Sequence, residues 1–241
     1  MINKSHMVGA VYGMERMMGR DHTPVRKVFD YALEHYMQKV PLLWVLTVTT
    51  APGGQIRTHG LFISEGRKGL EEAVKLAQEK NLDFVPPLKK CVVYLTPSEF
   101  RTTWLGNKAV YRTRMAMADG GELIILAPGV TKFGEDAQCD KLIRKYGYKG
   151  TPHTLEATEN NADLQENLGA SAHLIHGSSE GRFTITYCPG PDMSKEEIES
   201  VGFKYGDLDS IMEHYHPERL KDGWNTMPDG EEIYYISNPA L

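Results

Sequence analysis

The first eighty residues alternate between helical and strand-like patterns of hydrophobic positions. After Thr23, apolar residues recur at the spacing of one helix face, which predicts a helix over 24–37 with Thr23 as its N-cap. Dense apolar runs then predict two strands, over 42–50 and 55–63, joined as a hairpin. Helical periodicity returns and predicts a second helix over 66–80.

A proline pair marks the expected domain boundary. Pro86-Pro87 lies in the segment 83–90, and consecutive prolines stiffen the chain and prevent ordinary strand pairing. We therefore expect two domains, 1–85 and 86–241. One helix, a hairpin and one more helix are small for an independent core, so 1–85 is expected to be the tail of an N-terminal α/β domain.

Beyond the boundary, strand and helix patterns alternate in a way that is typical of parallel α/β sheets. Thr96 and Glu99 form a capping-box pattern that predicts a helix starting near residue 97, and Ser194 with Glu197 predicts another. We expect a three-layer α/β domain with a mostly parallel sheet. Its other predicted elements are strands over 91–95, 123–127, 183–188 and 232–236 and helices over 136–146 and 163–173.

One predicted helix carries basic, aromatic and apolar side chains on a single face: Trp104, Lys108, Tyr111, Arg112 and Met115. Lys108 and Arg112 are four residues apart, where like charges disfavour an isolated helix by about 0.2–0.5 kcal/mol. A bound carboxylate or phosphate would reverse that repulsion. A cationic pair on a helix more often forms a solvated face, so the stripe alone leaves both interpretations open.

The residues that follow the stripe favour a binding site. Gly120-Gly121 is expected to end the helix, and the apolar run 123–127 predicts a buried parallel strand. Ligands of open α/β sheets bind beyond the carboxyl ends of the strands, which places the loop 128–136 at the edge of a site. The acids Glu135 and Asp136 are adequately explained by the dipole of the helix that they precede.

The segment around Lys108 resembles the C-terminal domain of the nickel-dependent lactate racemase family. The resemblance rests on a helical lysine twelve residues before a Gly-Gly pair that opens an Ile/Leu strand. It implies that Lys108 faces the substrate carboxylate. Trp104 and Leu105 stand where the family has a tyrosine and a glutamine, which implies a substrate other than lactate. The stretch 134–182 is more similar to divergent homologues than to the lactate enzyme.

The same resemblance implies a nickel-pincer nucleotide at the domain interface. His6 roughly matches the family's nickel-ligating histidine, with an offset of one residue, and is therefore the expected metal ligand. No segment here matches the cofactor-anchoring lysine or the two histidines that exchange the substrate proton. The chain is thus expected to be a truncated or split member that does not bind the cofactor alone and that needs a separate N-terminal polypeptide.

A glycine- and serine-rich loop over 176–182 is the second candidate for ligand contact. Its glycines allow close approach of the backbone, and Ser178, Ser179 and Arg182 supply donors to an anion. An ordinary solvated turn is the competing interpretation, because the loop precedes a strand and lacks the phosphate-loop ending. A serine nucleophile is disfavoured, since the GxSxG pattern is absent from the sequence.

Composition excludes several classes of protein. The chain has 241 residues, a net charge of −5 and no basic tract, so no nucleic-acid partner is expected. No apolar run is long enough to cross a membrane and no signal peptide is evident, so a cytoplasmic location is expected. The three cysteines are widely spaced and odd in number, and Cys91 and Cys188 are expected to be buried and unpaired.

These patterns lead to one main functional expectation and one alternative. The main expectation is a racemase or epimerase domain for a small 2-hydroxy acid. The catalytic residues would be Lys108 and Arg112, and the substrate-binding residues would be Trp104, Lys108, Arg112, Ser178 and Ser179. The alternative is a non-catalytic domain that binds an anionic metabolite or completes the site of another chain.

Overall fold

The computed structural model describes residues 2–240, which divide into two compact units, Met1–Phe84 and Val85–Ala240. The division falls beside Pro86-Pro87. We call the two parts unit 1 and unit 2 and describe each by itself. No helix within residues 2–240 is long and apolar enough to cross a lipid bilayer.

Unit 1 is a small α/β arrangement in which one helix covers a two-stranded antiparallel sheet. The predicted hairpin and both predicted helices are present. Helix α3 begins as expected, with the Thr23 hydroxyl accepting a hydrogen bond from the Arg26 amide at 3.1 Å. The elements are α1 Ile2–Tyr12, α2 Met14–Met17, α3 Pro24–Tyr36, β1 Trp44–Thr50, β2 Arg57–Ser64 and α4 Lys68–Lys80.

Unit 2 contains a six-stranded sheet in the order β6-β5-β4-β3-β8-β7, which is parallel except for β7. Its strands are β3 Leu88–Tyr94, β4 Met117–Ala127, β5 Thr184–Pro189, β6 Lys204–Tyr205, β7 Gly223–Thr226 and β8 Glu232–Ile236. Its helices are α5 Thr103–Gly106, α6 Lys108–Thr113, α7 Ala137–Tyr146, α8 Thr151–Asn160, α9 Ala162–Glu166, α10 Leu168–His176, α11 Lys195–Ser200 and α12 Leu208–Tyr215.

The central strands of unit 2 are buried on both faces, which confirms the predicted three-layer α/β class. Along β4, Leu123 and Ile125 belong to a large core with α6, α7, α10 and α11, whereas Ile124 and Leu126 belong to a smaller core with α12. The two sets alternate because successive side chains of a strand point to opposite faces. A continuous apolar run is therefore what a strand between two helix layers requires.

The buried cysteines follow the same alternation. Cys91 on β3 packs in the larger core and Cys188 on β5 in the smaller one, and both are free thiols, as expected. Burial raises the pKa of each thiol to about 12. Both groups are therefore neutral at physiological pH.

Two predicted helix boundaries in unit 2 are wrong. No helix starts near residue 97. Instead, Thr96–Phe100 forms a turn that packs closely on Gly129, where an added Cβ would lie 2.6 Å from the Pro97 Cα. Phe100 is fully buried, and this tertiary contact overrides the capping pattern.

The helix that was predicted to run to Gly120 is also different. It is divided at Asn107 into α5 and α6 and ends at Thr113. The two glycines lie inside β4. Gly120 adopts a φ of 76°, and a Cβ on Gly121 would lie 2.9 Å from the Leu88 carbonyl. Both positions therefore need glycine within the strand, at a register irregularity of the β3–β4 pair.

For the other elements of unit 2, the predicted and observed bounds agree best where the local sequence pattern is strong. Strand β8 has its predicted bounds, and Ser194 with Glu197 forms the predicted capping box of α11. The helix expected over 163–173 is two helices, α9 and α10, and Asn167 caps the second. Helices α8 and α12 and strand β7 were not predicted.

The buried faces of β4 lead to a stability prediction. We expect Ile125→Ala to lower the free energy of unfolding of unit 2 by about 2–5 kcal/mol, since Ile125 is fully buried in the larger core. The matched control is Met115→Ala, which should change it by less than about 0.5 kcal/mol because Met115 is exposed. Urea unfolding measures both, and equal effects would contradict the assignment of the core.

Candidate functional site

The candidate site is built where the start of α5 runs alongside the loop after β4. The Thr103 amide donates to the Lys132 carbonyl at 3.2 Å, and the Trp104 amide donates to the Phe133 carbonyl at 2.9 Å. The Thr131 amide in turn donates to the Arg101 carbonyl at 3.1 Å. These bonds hold Trp104 at the carboxyl end of the central strand, the edge where α/β sheets bind ligands.

Trp104 is positioned by a buried histidine. Its ring stacks on His173 of α10, with ring centroids 4.3 Å apart and an interplanar angle of 25°. His173 Nε2 lies 2.8 Å from the Tyr148 hydroxyl, which lies 2.9 Å from the Thr103 hydroxyl. Thr103, Tyr148 and His173, which we call the polar node, thus connect α5 to α10 inside an apolar core.

The proton positions in the polar node follow from counting donors. The Thr103 hydroxyl donates its only proton to the Phe133 carbonyl at 3.1 Å, so it accepts from the Tyr148 hydroxyl. Tyr148 has then used its own proton and accepts from His173. This assigns the neutral histidine tautomer that carries its proton on Nε2.

Burial keeps these groups neutral. It lowers the pKa of His173 to about 3, and the nearby His176 adds to the effect. It also raises the pKa of the Tyr148 hydroxyl well above its usual value. His173 is therefore a poor general acid or base near neutral pH and is suited to positioning Trp104.

Lys108, the first residue of α6, offers a positive charge beside this wall. It is half-buried, and its Nζ lies 5.8 Å from the centre of the Phe100 ring. No acidic side chain among residues 2–240 lies within ion-pair distance of that ammonium. Arg112 lies one turn later on α6 and is exposed, with a hydrogen bond to Tyr111.

The serine loop has an internal hydrogen-bond network. Ser178 is buried, and its hydroxyl lies 2.6 Å from Glu180 Oε1 and 2.9 Å from the Ile175 carbonyl. The buried Arg114 donates to the Ile175 and Ser178 carbonyls at 3.0 and 3.3 Å. Ser179 is half-buried and lines a separate recess of about 470 Å³ with residues of β5 and β6.

The structure brings together only part of the predicted set of site residues. Trp104 and Lys108 lie on adjacent turns, and the Tyr111 ring of α6 lies 5.9 Å from His176 at the end of α10. The ligand contacts predicted for Ser178 and Ser179 stay predictions. Sequence reasoning missed Thr103 and Tyr148, because no local pattern links residues that are 45 positions apart.

His6, the predicted nickel ligand, lies on α1 with an exposed side chain. Within residues 2–240, three metal-ligating side chains converge only at Asp21, His22 and Glu71. The Arg67 guanidinium already bonds to two of these, at 3.2 Å from an oxygen of Asp21 and of Glu71. The role of His6 as a nickel ligand stays a prediction.

Comparison with solved structures identifies the fold class of the chain. It is similar to a protein of known crystal structure from Thermotoga maritima, with 23% sequence identity and a TM-score of 0.69, over 90% of this chain and 52% of that chain. It is also similar to the lactate racemase apoprotein of Thermoanaerobacterium thermosaccharolyticum, with 12% identity and a TM-score of 0.63. That match covers 95% of this chain and 53% of the racemase.

These matches show a lactate racemase-like α/β fold. The chain spans about half the length of both solved neighbours. No protein-family model and no curated protein sequence matches it. The likeness therefore concerns architecture, and the activity has to be argued from the site.

The polar node generates a pH prediction. The folded His173 has a pKa near 3 against about 6.5 when unfolded, so the unfolded chain binds more protons between these values. The contribution of neutral His173 to the free energy of unfolding is fully present above pH 6.5 and falls as the pH decreases. We expect this residue to cost about 2 kcal/mol of unfolding free energy between pH 7 and pH 5.

The matched variant is His173→Gln, whose amide keeps a donor for Tyr148 without the titration. Between pH 7 and pH 5, the free energy of unfolding of this variant should fall by about 2 kcal/mol less than that of the wild type. Urea unfolding at the two pH values measures the difference. Nitrogen NMR of the wild-type ring should show no titration above pH 5, and a midpoint near 6.5 would contradict the burial.

Proposed function

We propose that this chain is the substrate-binding part of a racemase or epimerase of the lactate racemase type, and that Lys108 binds the carboxylate of a small 2-hydroxy acid. One observation carries the proposal. Lys108, a half-buried lysine that forms no ion pair with an acidic side chain among residues 2–240, lies at the carboxyl edge of a sheet whose fold is similar to that of lactate racemase.

The electrostatics of Lys108 favour an anionic ligand. The Phe100 ring, 5.8 Å from Nζ, offers the Lys108 ammonium only a weak cation–π contact. A carboxylate would supply a charge-assisted hydrogen bond of the stronger kind. Arg112, one turn further along α6, is suited to a second anionic or hydroxyl group of the ligand.

Trp104 supports selection by shape. Its ring is held against His173 by the polar node, so it offers a rigid aromatic surface beside Lys108. Rigid walls limit the size of the group that fits next to a bound carboxylate. We propose that Trp104 selects the substituent of the hydroxy acid, with Ser178 and Ser179 as further candidate contacts.

The proposed role of this chain is limited to binding and orienting. In the racemase family a nickel-pincer nucleotide would supply the hydride chemistry, which lies outside the role proposed for this chain. We therefore assign no chemical step to this cofactor in unit 2. Neutral His173 is likewise a positioning residue.

Carboxylate binding can be tested on the purified chain. We expect lactate and larger 2-hydroxy acids to shift the amide signals of Trp104 and Lys108 in NMR titrations. Lys108→Met should weaken binding by about 10- to 100-fold, because a hydrogen bond to a charged group contributes about 1.5–3 kcal/mol.

The matched control is Lys89→Met, which removes an exposed lysine near the amino end of β3. It should leave the affinity unchanged. Equal affinities of the Lys108→Met variant and the wild type, with both folded by circular dichroism, would refute the proposed role of Lys108.

A second test concerns catalysis. We expect the purified chain to release no racemised lactate or larger 2-hydroxy acid when it is supplied with nickel. The reason is that the proposal assigns to this chain the binding and orienting of the hydroxy acid and not the hydride chemistry. Chiral chromatography measures the product, and turnover by the chain alone would show that binding is not its whole role.

A further inference from the structure

The two-stranded sheet of unit 1 has one face that α4 covers and one face that is exposed. Val45 pairs with Ile63 and Thr47 pairs with Leu61, so these four side chains share a face. Val45, Leu61 and Ile63 are 58, 60 and 59% exposed. We call the surface formed by Val45, Thr47, Leu61 and Ile63 the open face.

The opposite side of the same sheet shows what a covered face looks like. Val48 is 4% exposed, and a Cβ on Gly60 would lie 2.6 Å from Leu76 of α4. Exposure alternates from Val45 to Val48 in β1 and from His59 to Ser64 in β2. The open face is therefore a regular sheet surface that lacks a second layer.

Exposure of apolar side chains is a property of unit 1 as a whole. Sixteen large hydrophobic residues are exposed among the described residues, and fourteen of them lie in unit 1. Among the side chains of unit 1 that the structure describes, only Ala10, Val48 and Ala73 are buried hydrophobic ones. The amphipathic helix α3 has no buried residue.

The sheet of unit 1 is small and packs on a helix on one side only. An isolated two-stranded sheet is at best marginally stable in water, and packing against α4 stabilises the covered face. Strands β1 and β2 pair only with each other, so each presents an unpaired edge. Contiguous exposed apolar surface of this kind marks an interaction site.

The comparison with the solved neighbours indicates the occupant. Both neighbours contain about as much chain again outside the part that matches this protein. The open face carries no charged side chain, which favours an apolar partner surface and strand addition at a free edge. A layer of strand and helix from the other half of such a fold would supply both the apolar surface and the additional strand.

We infer that the open face of unit 1 binds a complementary α/β polypeptide, the counterpart of the half of the solved neighbours that this chain does not match. That polypeptide adds at least one strand to the edge of β1 or β2 and covers Val45, Leu61 and Ile63. The inference concerns unit 1 and stands independently of carboxylate binding at Lys108.

The test uses hydrogen exchange on the whole chain, alone and together with the polypeptide encoded by adjoining DNA that is similar to the unmatched half of the Thermotoga maritima protein. In the chain alone, we expect the amides of β1 and β2 to exchange at least 100-fold faster than those of β4. The complementary polypeptide should slow β1 and β2 at least 10-fold and leave β4 unchanged.

A triple variant, Val45→Thr, Leu61→Thr and Ile63→Thr, keeps the strand propensity and makes the open face polar. It should weaken the complex at least 10-fold. The control Ile56→Thr removes an even more exposed aliphatic side chain just before β2 and outside this face, and it should not weaken the complex.

Three results would overturn the inference. The first is a genome in which no adjoining DNA encodes such a half. The second is a complex that the triple variant does not weaken, or no protection of β1 and β2 at about 100 µM of each chain. The third is a dimer of this chain, seen by light scattering and abolished by the triple variant, which would assign the open face to a second copy.

Discussion

Unit 2 depends on one constraint, which is that its central strands are buried on both faces. Because helix layers cover β3, β4 and β5 from two sides, no sheet face remains for a ligand. Only the ends of the strands remain accessible, and ligands of open α/β sheets bind at the carboxyl ends. The position of Trp104 and Lys108 follows from that constraint.

The site also depends on polarity placed inside the core. The Tyr148 hydroxyl forms hydrogen bonds with both Thr103 and His173. Three neutral polar groups are thus buried with hydrogen-bond partners. A satisfied network of this kind fixes one arrangement of the elements that it joins. Here it joins α5 and α10. Trp104 stacks on His173 and is therefore held in one position by the same network.

The predictability of the fold differs with the range of the interactions. Strands such as β4 and caps such as Thr23 and Ser194 are local features, and the sequence alone is enough to predict them. The turn at 96–100 and the break at Asn107 depend on contacts with Gly129 and Gly177, which are distant in sequence. For the candidate site, Lys108 was predictable from its helix, whereas Tyr148 was not.

The two buried thiols in the sheet of unit 2 have a practical consequence. Cys91 and Cys188 lie on opposite sides of the sheet, and a neutral buried thiol does not react with alkylating reagents. Each becomes reactive only when its own layer of helices detaches. The modification rates of the two cysteines would therefore report separately on the opening of each side of the sheet, with no engineered probe.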